Sequence, residues 1–420
     1  MRHPTAIVAS ALALASLGLA ACSSSSSSST AASGTASSSA SGSTVAGVAS
    51  GAPFNVLAIV ASSGPLASVT AAEIAGMQEG AKYVNAHGGI LGHQVVVTVK
   101  NDNNDPTTAA TLLQSALSSG SKPNLVYAGT TSDETYAMEP ILTQNKIFSL
   151  QTATSDQTMD ASTFPYAFSL AQSSSDFAYE LAAAIKGHYP NVKNIGIIIG
   201  NDVTGSSNLH NEQIALGKAG YSTTVEQYDP TNTIDMTPQL QSLQAKKPDL
   251  LIAGGFGEVA GYILKGRSQI GWNIPTVGDA SFSSNSLPSL ASPSQLTGVS
   301  ILSQTNEVYA PISQKSAAFQ TLYKAVEPSS GTFEVPFLLY EFGWDDIMVA
   351  DATATQAKAF DGPSMANALE TLKDTTNPNY LLGPYKYSPS VHTAIADLNE
   401  SILASPYSKD GQPLPFGQTG

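Results

Sequence analysis

Cysteine occurs once in the 420 residues, at position 22. The chain can therefore form no internal disulfide, and a packed core must supply its stability even in an oxidising compartment. Basic residues are scarce as well: 18 Lys and Arg stand against 32 Asp and Glu, for a net charge of −14. No Lys/Arg cluster is present, which argues against nucleic acid or an anionic membrane surface as a partner, since both reward basic patches. Long hydrophobic runs are missing too. The apolar stretch near the N-terminus is about 15 residues long, short of the ~20 that a membrane-spanning helix needs. Catalytic signatures are absent: there is no GxSxG elbow, no HExxH and no Cys/His metal spacing, and His87, His93, His188, His210 and His392 are scattered. The acidic stretch KNDNNDP, residues 100–106, lacks the central glycine and distal glutamate of a calcium loop and reads as a strand-to-helix turn. No enzyme activity, metal or cofactor is expected.

What is present begins with a leader. Residues 1–21 start with Arg2 and His3, continue through an Ala/Leu/Ile run and end in small residues, which is the layout of a secretory signal peptide. Leu19-Ala20-Ala21-Cys22 resembles a bacterial lipobox, in which the cysteine thiol receives a diacylglyceryl group and becomes the mature N-terminus. From Ser23 to Pro53 no residue is charged and most are Ser, Ala, Gly or Thr. Such a segment cannot bury apolar surface and is expected to be a coil averaging roughly 30 Å end to end. It reads as a tether.

The remaining stretch is longer than one core usually holds, so two lobes are expected. Phe54–Val60 reads as a buried strand, and Ile74, Met77, Ala81 and Val84 mark one helical face that stops before Gly88-Gly89. Val95–Val99 is the next strand, and Asp105-Pro106 opens a helix carrying Ala109, Leu112, Leu113, Ala116 and Leu117. Alternating strands and helices imply a parallel sheet covered on both faces. The segments LQSALSSGSKPNLVYAGT from Leu113 and LQSLQAKKPDLLIAGG from Leu240 share a helix end, a Pro-Asn/Asp turn and a strand closing on Ala-Gly. Apolar strands follow near Ile147–Leu150 and Ile274–Val277, so the halves read as two copies of one α/β plan.

In open parallel sheets, ligands bind outside the carboxyl ends of the strands. The loop Gly129-Thr130-Thr131-Ser132-Asp133-Glu134 ends a strand and opens a helix, and Gln151-Thr152-Ala153-Thr154-Ser155 follows the next strand. Either turn alone could be an ordinary helix cap; two adjacent donor-rich turns point to a carboxylate or similar oxyanion site. Gly255-Phe256-Gly257-Glu258 through Gly261, with Asp279 further on, has the outline of a dinucleotide fingerprint. Glu258 would crowd a pyrophosphate, and backbone clearance at a cleft accounts for the glycines equally well.

Ser63-Gly64-Pro65-Leu66, the run Val84-Asn85-Ala86-His87-Gly88-Gly89-Ile90-Leu91-Gly92, and Asp102 with Asp105-Pro106 resemble signatures of the leucine/isoleucine/valine-binding protein family, the type I substrate-binding proteins of ABC transporters. The similarity runs from about Phe54 to Ser300. It implies an α/β fold of two Rossmann-like lobes with a central cleft and hinge crossovers. Residues 54–171 plus about 304–382 would form lobe 1, and residues 172–303 plus about 383–420 lobe 2. The resemblance puts a ligand carboxylate on Ser132, Ala153 and Ser155, beside Thr131. In the second lobe Thr204 and Phe256 fall where branched-chain binders carry aromatic residues. Asp279, one position before the family's glutamate, is the first choice for holding an ammonium, and Glu258 the second. The implied protein is a monomeric, extracytoplasmic, lipid-anchored receptor that delivers a small carboxylate ligand, of the branched-chain amino-acid type, to a membrane permease. The alternatives are a sensory receptor of the same fold and a binder of another small acid or amide.

Overall fold

The seven-residue run FNVLAIV has no polar alternation, and all but Asn55 of it is buried, as befits a strand covered on both faces. In the computed structural model it opens the first sheet. The structure describes residues 51–120, 122–394 and 401–419; the leader, Cys22 and the tether as far as residue 50 lie outside the described residues. The first half runs β1 (Phe54–Val60), α1 (Ala67–Ala86), β2 (Val95–Asn101), α2 (Pro106–Ser118), β3 (Leu125–Ala128), α3 (Ser132–Asn145), β4 (Phe148–Gln151) and β5 (Ala167–Ser169). A second run follows as α4 (Ser174–His188), β6 (Asn194–Gly200), α5 (Val203–Ala219), β7 (Ser222–Tyr228), α6 (Thr237–Ala245), β8 (Leu250–Ala253), α7 (Glu258–Gln269), β9 (Thr276–Gly278), α8 (Ala280–Ser283), α9 (Leu287–Leu290) and β10 (Val299–Gln304). The chain ends with α10 (Ala317–Val326), α11 (Phe337–Ala357), α12 (Gly362–Glu370), β11 (Ser401–Lys409) and β12 (Gln412–Pro415).

The local signals act as their chemistry dictates. Asp105 caps α2 by accepting a hydrogen bond from Thr108 N at 2.6 Å, with Pro106 in the first turn. Thr131 and Glu134 form a reciprocal capping box at the start of α3, satisfying two backbone donors that a helix otherwise leaves orphaned. The repeated LQS segments lead into β3 and β8, and each of these strands pairs in parallel with the first strand of its own sheet, β1 or β6.

Strand order is β2-β1-β3-β4-β5 in the first sheet and β12-β11-β10-β9-β8-β6-β7 in the second. Without the last hairpin the second sheet repeats the order of the first. Both therefore reverse direction between their first and third strands, which is where a doubly wound sheet opens a crevice. The β11–β12 hairpin, antiparallel to β10, is an addition that the sequence pattern did not announce.

Helices cover both faces of each sheet, as the parallel strands require. In the first, α1, α10, α11 and α12 enclose a core around Phe54, Phe148, Phe168 and Trp344, with α2 and α3 on the other face. In the second, α6, α7 and α9 lie on one face and α4 and α5 on the other. Helices α1 and α11 meet backbone to backbone: a side chain at Gly76 would run into the Tyr340 carbonyl, and one at Gly343 into the Glu73 carbonyl. The residues 383–394 differ from expectation. Tyr385, Tyr387 and Ala394 are buried in the first core, not in the second lobe. Asp345 on α11 accepts from Leu381 N, Leu382 N and the Tyr385 hydroxyl (2.6 Å for the last) and so holds that stretch against the first sheet.

Candidate functional site

The two reversal points face each other. Ala61 N, after β1, donates to Thr130 Oγ1 at 2.8 Å, fixing the loop after β3. Ser132, the first residue of α3, is buried, and its hydroxyl accepts from Ser155 N at 3.2 Å. That bond brings the loops after β3 and β4 together, with Ala153 buried between them. The Ser155 hydroxyl is fully buried and has no hydrogen-bond partner. A buried hydroxyl left unmatched costs about 1–3 kcal/mol, so this is a position that a polar ligand atom would stabilise.

Loops of the second sheet close on this corner. Ser132 N donates to Thr204 Oγ1 at 3.4 Å, and Val203 N donates to Asp133 at 3.1 Å. Asp156 accepts from Asn211 Nδ2 at 2.8 Å, and Asp156 N donates to Ser207 at 3.3 Å. Phe256 packs on Val69, Ala72, Val335 and Leu339 from the first lobe. Gly257 has φ +69°, and a side chain there would strike Leu66; both facts demand glycine. Gly257 N donates to Asn285 Oδ1 at 2.6 Å, so the amide that a dinucleotide pyrophosphate would use is already taken. Among the described residues no group of acids, histidines or cysteines is arranged to hold a metal ion.

Asp279 is fully buried at the end of β9. It caps α8 through Phe282 N at 2.8 Å and accepts from Asn208 Nδ2 at 2.9 Å. Burial raises its carboxyl to about 6, against the lowering effect of those two donors. Asp202 likewise rises to about 6 by burial, opposed by its bond from Gly205 N. Glu212 is pushed well above the ordinary carboxyl range by burial and by Asp279. Glu258, by contrast, is exposed on α7 and accepts from the Tyr262 hydroxyl at 2.9 Å.

Asn208 and Glu212 were not anticipated from the sequence. Asn208 Oδ1 and Glu212 Oε2 are both buried without partners. Thr204, Asn208 and Glu212 form a polar stripe at four-residue spacing along α5, and a stripe of that kind on a helix whose buried face also carries Ala215 and Leu216 was the available signal. The six loops around the cleft, residues 61–69, 129–135, 151–157, 201–206, 254–258 and 278–283, carry Asp133, Glu134, Asp156, Asp202, Glu258 and Asp279 and not one Lys or Arg.

Two duplicated α/β lobes whose reversal points meet across a cleft define a type I ligand-binding fold. The periplasmic binding protein profile matches residues 53–399, and the chain belongs to that family. The match extends well beyond Ser300, where the sequence motifs fade. Among solved structures, the leucine-binding protein LivK of Thermotoga maritima is similar at 15% identity over 86% of this chain and 97% of that one, with a TM-score of 0.72. The branched-chain amino acid transporter substrate-binding protein LivJ of Streptococcus pneumoniae, solved with isoleucine, has 18% identity over 86% and 97% of the two chains, with a TM-score of 0.70. A solute-binding protein of an ABC transporter from Rhodopseudomonas palustris, solved with 3,4-dihydroxybenzoic acid, has 16% identity over 86% and 95%, with a TM-score of 0.71. At these identities the likeness establishes the fold. None of the curated proteins matches the chain by sequence. The family is one of extracytoplasmic binding proteins rather than enzymes. Among the described residues no helix is long and apolar enough to cross a membrane.

Proposed function

We propose that the protein is a lipid-anchored receptor that captures a small carboxylate-bearing solute between its lobes and delivers it to a membrane permease. The observation that carries this reading is the buried, unpartnered Ser155 hydroxyl beside Ser132. A carboxylate seated there would accept from Ser155 Oγ, Ser132 Oγ and Ala153 N, with Thr131 at the rim. Isoleucine and 3,4-dihydroxybenzoic acid, the ligands of the two similar structures above, share a carboxylate and differ in the ammonium. The cleft loops carry six acids and no base, so a bare acid would enter against repulsion, whereas a zwitterion brings the missing positive charge. Phe256 and the apolar cluster around it suit a branched aliphatic side chain. The reading is therefore an amino acid of the branched-chain type, with its ammonium toward Thr204, Asn208 and Asp279. A second reading, a small acid or amide without ammonium, is favoured by one fact: Asp279 already accepts from Phe282 N and Asn208.

Calorimetry with four probes separates these readings. L-isoleucine should bind more tightly than isoleucinamide, which lacks the carboxylate, and than 3-methylpentanoate, which lacks the ammonium. Equal affinity for the amide overturns the carboxylate site, and preference for 3-methylpentanoate or 3,4-dihydroxybenzoate overturns the ammonium site. The anchor is tested separately. Cys22→Ala should stay unprocessed or be shed into the aqueous fraction; full recovery of a processed variant with the membrane would remove the lipid from the proposal. A tether that keeps the receptor near a fixed permease raises its effective concentration there.

A further inference from the structure

Behind the cleft, on the hinge side, lies a cavity of about 190 Å³. Its walls come from both lobes: Ser286, Ile301 and the β11–β12 hairpin on one side, and Phe319, Phe333, Phe337 and Glu341 on the other. Its lining includes none of Ser132, Ser155, Asn208, Glu212 and Asp279, but it does include Ser283 of the cleft loop 278–283, Asn285, which holds Gly257 N, and Val335, which packs on Phe256. In size it exceeds the roughly 150 Å³ that suffices elsewhere to hold a benzene ring. The apolar part of the lining is aromatic, with ring centroids of Phe319 and Phe337 4.4 Å apart and Phe333 edge-on to Phe337 at 5.5 Å.

The polar part is acidic and incompletely satisfied. Glu341 is 6% exposed and lines the cavity together with Glu307. Ser286, 8% exposed, has a buried hydroxyl with no partner. One base is nearby: Lys315 attracts both carboxylates, but its ammonium donates to Asn306 O at 2.6 Å and lies 5.1 Å from the centre of the Phe319 ring. Among the described residues neither acid is within ion-pair distance of a base. Glu307 accepts from Ser303 Oγ and from Gln304 N at 3.3 Å, whereas burial pushes the Glu341 carboxyl well above the ordinary range, because a buried charge without a partner is costly. A ligand cation would supply the missing charge, and aromatic faces favour a cation further.

We propose that this cavity is a second ligand site, for a small organic ammonium carried on an aromatic or short branched body. The ammonium meets Glu341 and the Ser286 hydroxyl, and the body rests among Phe319, Phe333 and Phe337. Because both lobes wall the cavity, an occupant favours the lobe arrangement that brings those walls together, and it does so without touching Ser132, Ser155 or Asp279.

The test uses the full chain and benzylammonium as probe, with benzyl alcohol as its neutral counterpart, read by calorimetry and thermal shift. Benzylammonium should bind at least tenfold more tightly than benzyl alcohol. Glu341→Gln should erase that preference, and Ser155→Ala in the cleft should leave it intact. Ser289→Trp, which fills the mouth from an exposed position, should block the probe without touching the acids and serves if Glu341→Gln does not fold. Equal binding of the two probes, benzylammonium binding that survives Glu341→Gln or Ser289→Trp, or loss of binding in Ser155→Ala each overturns the site.

Discussion

At the ends of β3 and β4 the first lobe presents neutral groups, the hydroxyls of Ser132 and Ser155 and the backbone at Ala153. At the end of β9 the second lobe buries Asp279 beneath the cleft, with Asn208 and Glu212 against it. The strand order is the same in both, so the fold dictates where each corner lies and not what chemistry it offers. Helix starts explain part of the contrast. In the first lobe Glu134 turns back to cap its own helix and takes the Thr131 hydroxyl as a donor, while the Ser132 hydroxyl, which accepts from Ser155 N, keeps its proton to donate. In the second, Asp202 and Asp279 are themselves the caps of α5 and α8, so their carboxylates stand at the strand ends but are already engaged. A hydroxyl corner accepts any carboxylate; an acidic corner discriminates among carboxylates by what else they carry.

The largest effect is expected from Asp279→Asn. A hydrogen bond to a charged group contributes about 1.5–3 kcal/mol, and each 1.4 kcal/mol is tenfold in Kd. Affinity for an amino acid should fall ten- to a hundredfold in calorimetry, while an acid without an amine should keep or gain affinity. Should Asp279→Asn leave isoleucine binding unchanged while Ser132→Ala lowers it, the two corners do not divide the ligand as described. Ser155→Ala should weaken every carboxylate ligand by about tenfold, amino acid or not, because it removes a donor from the corner they share.

Acidity sharpens the contrast further. Asp202 and Asp279 both titrate at about 6, in each case raised by burial. An ammonium held by Asp279 needs that carboxylate ionised, so its affinity should be full above pH 7 and fall by up to about tenfold for each unit below 6. A carboxylate lacking an amine should show the opposite sign, gaining affinity as those acids are neutralised towards pH 5. Parallel profiles for the two ligand types would contradict the assignment of the second corner. The smallest effect belongs to the contacts between lobes: Asp156→Ala removes the acceptor for Asn211 and should weaken any cleft ligand by only two- to fivefold, since partly exposed bonds contribute about 0.5–1 kcal/mol.

Much of this was legible in the chain. The strand at Phe54, the Asp105 cap and the paired LQS segments depend on neighbours within a few residues, and they announce themselves in local pattern. The donor-rich turns at Ser132 and Ser155 were visible for the same reason. What escaped depends on distant partners. Tyr387 donates to Ser169 O at 3.0 Å across 218 positions, and nothing near Tyr387 indicates which lobe it joins. Asn208 has meaning only beside Asp279, 71 positions away. The fingerprint-like glycines after β8 misdirect for a related reason: Gly257 gives clearance to Leu66 of the other lobe, and Gly255 and Gly261 to Tyr228 and Leu290 of their own.

The strand order has a further consequence at its margins. A sheet's outermost strands invite pairing with another copy wherever their outer peptide groups are left unmatched. Here β2 carries the exposed Lys100 and β7 carries Glu226, β5 is only three residues long, and β12 holds Pro413 and Pro415, which have no N–H to offer. None of these margins presents a long, flat, uncharged ladder to a second copy, so edge-to-edge pairing between copies is disfavoured.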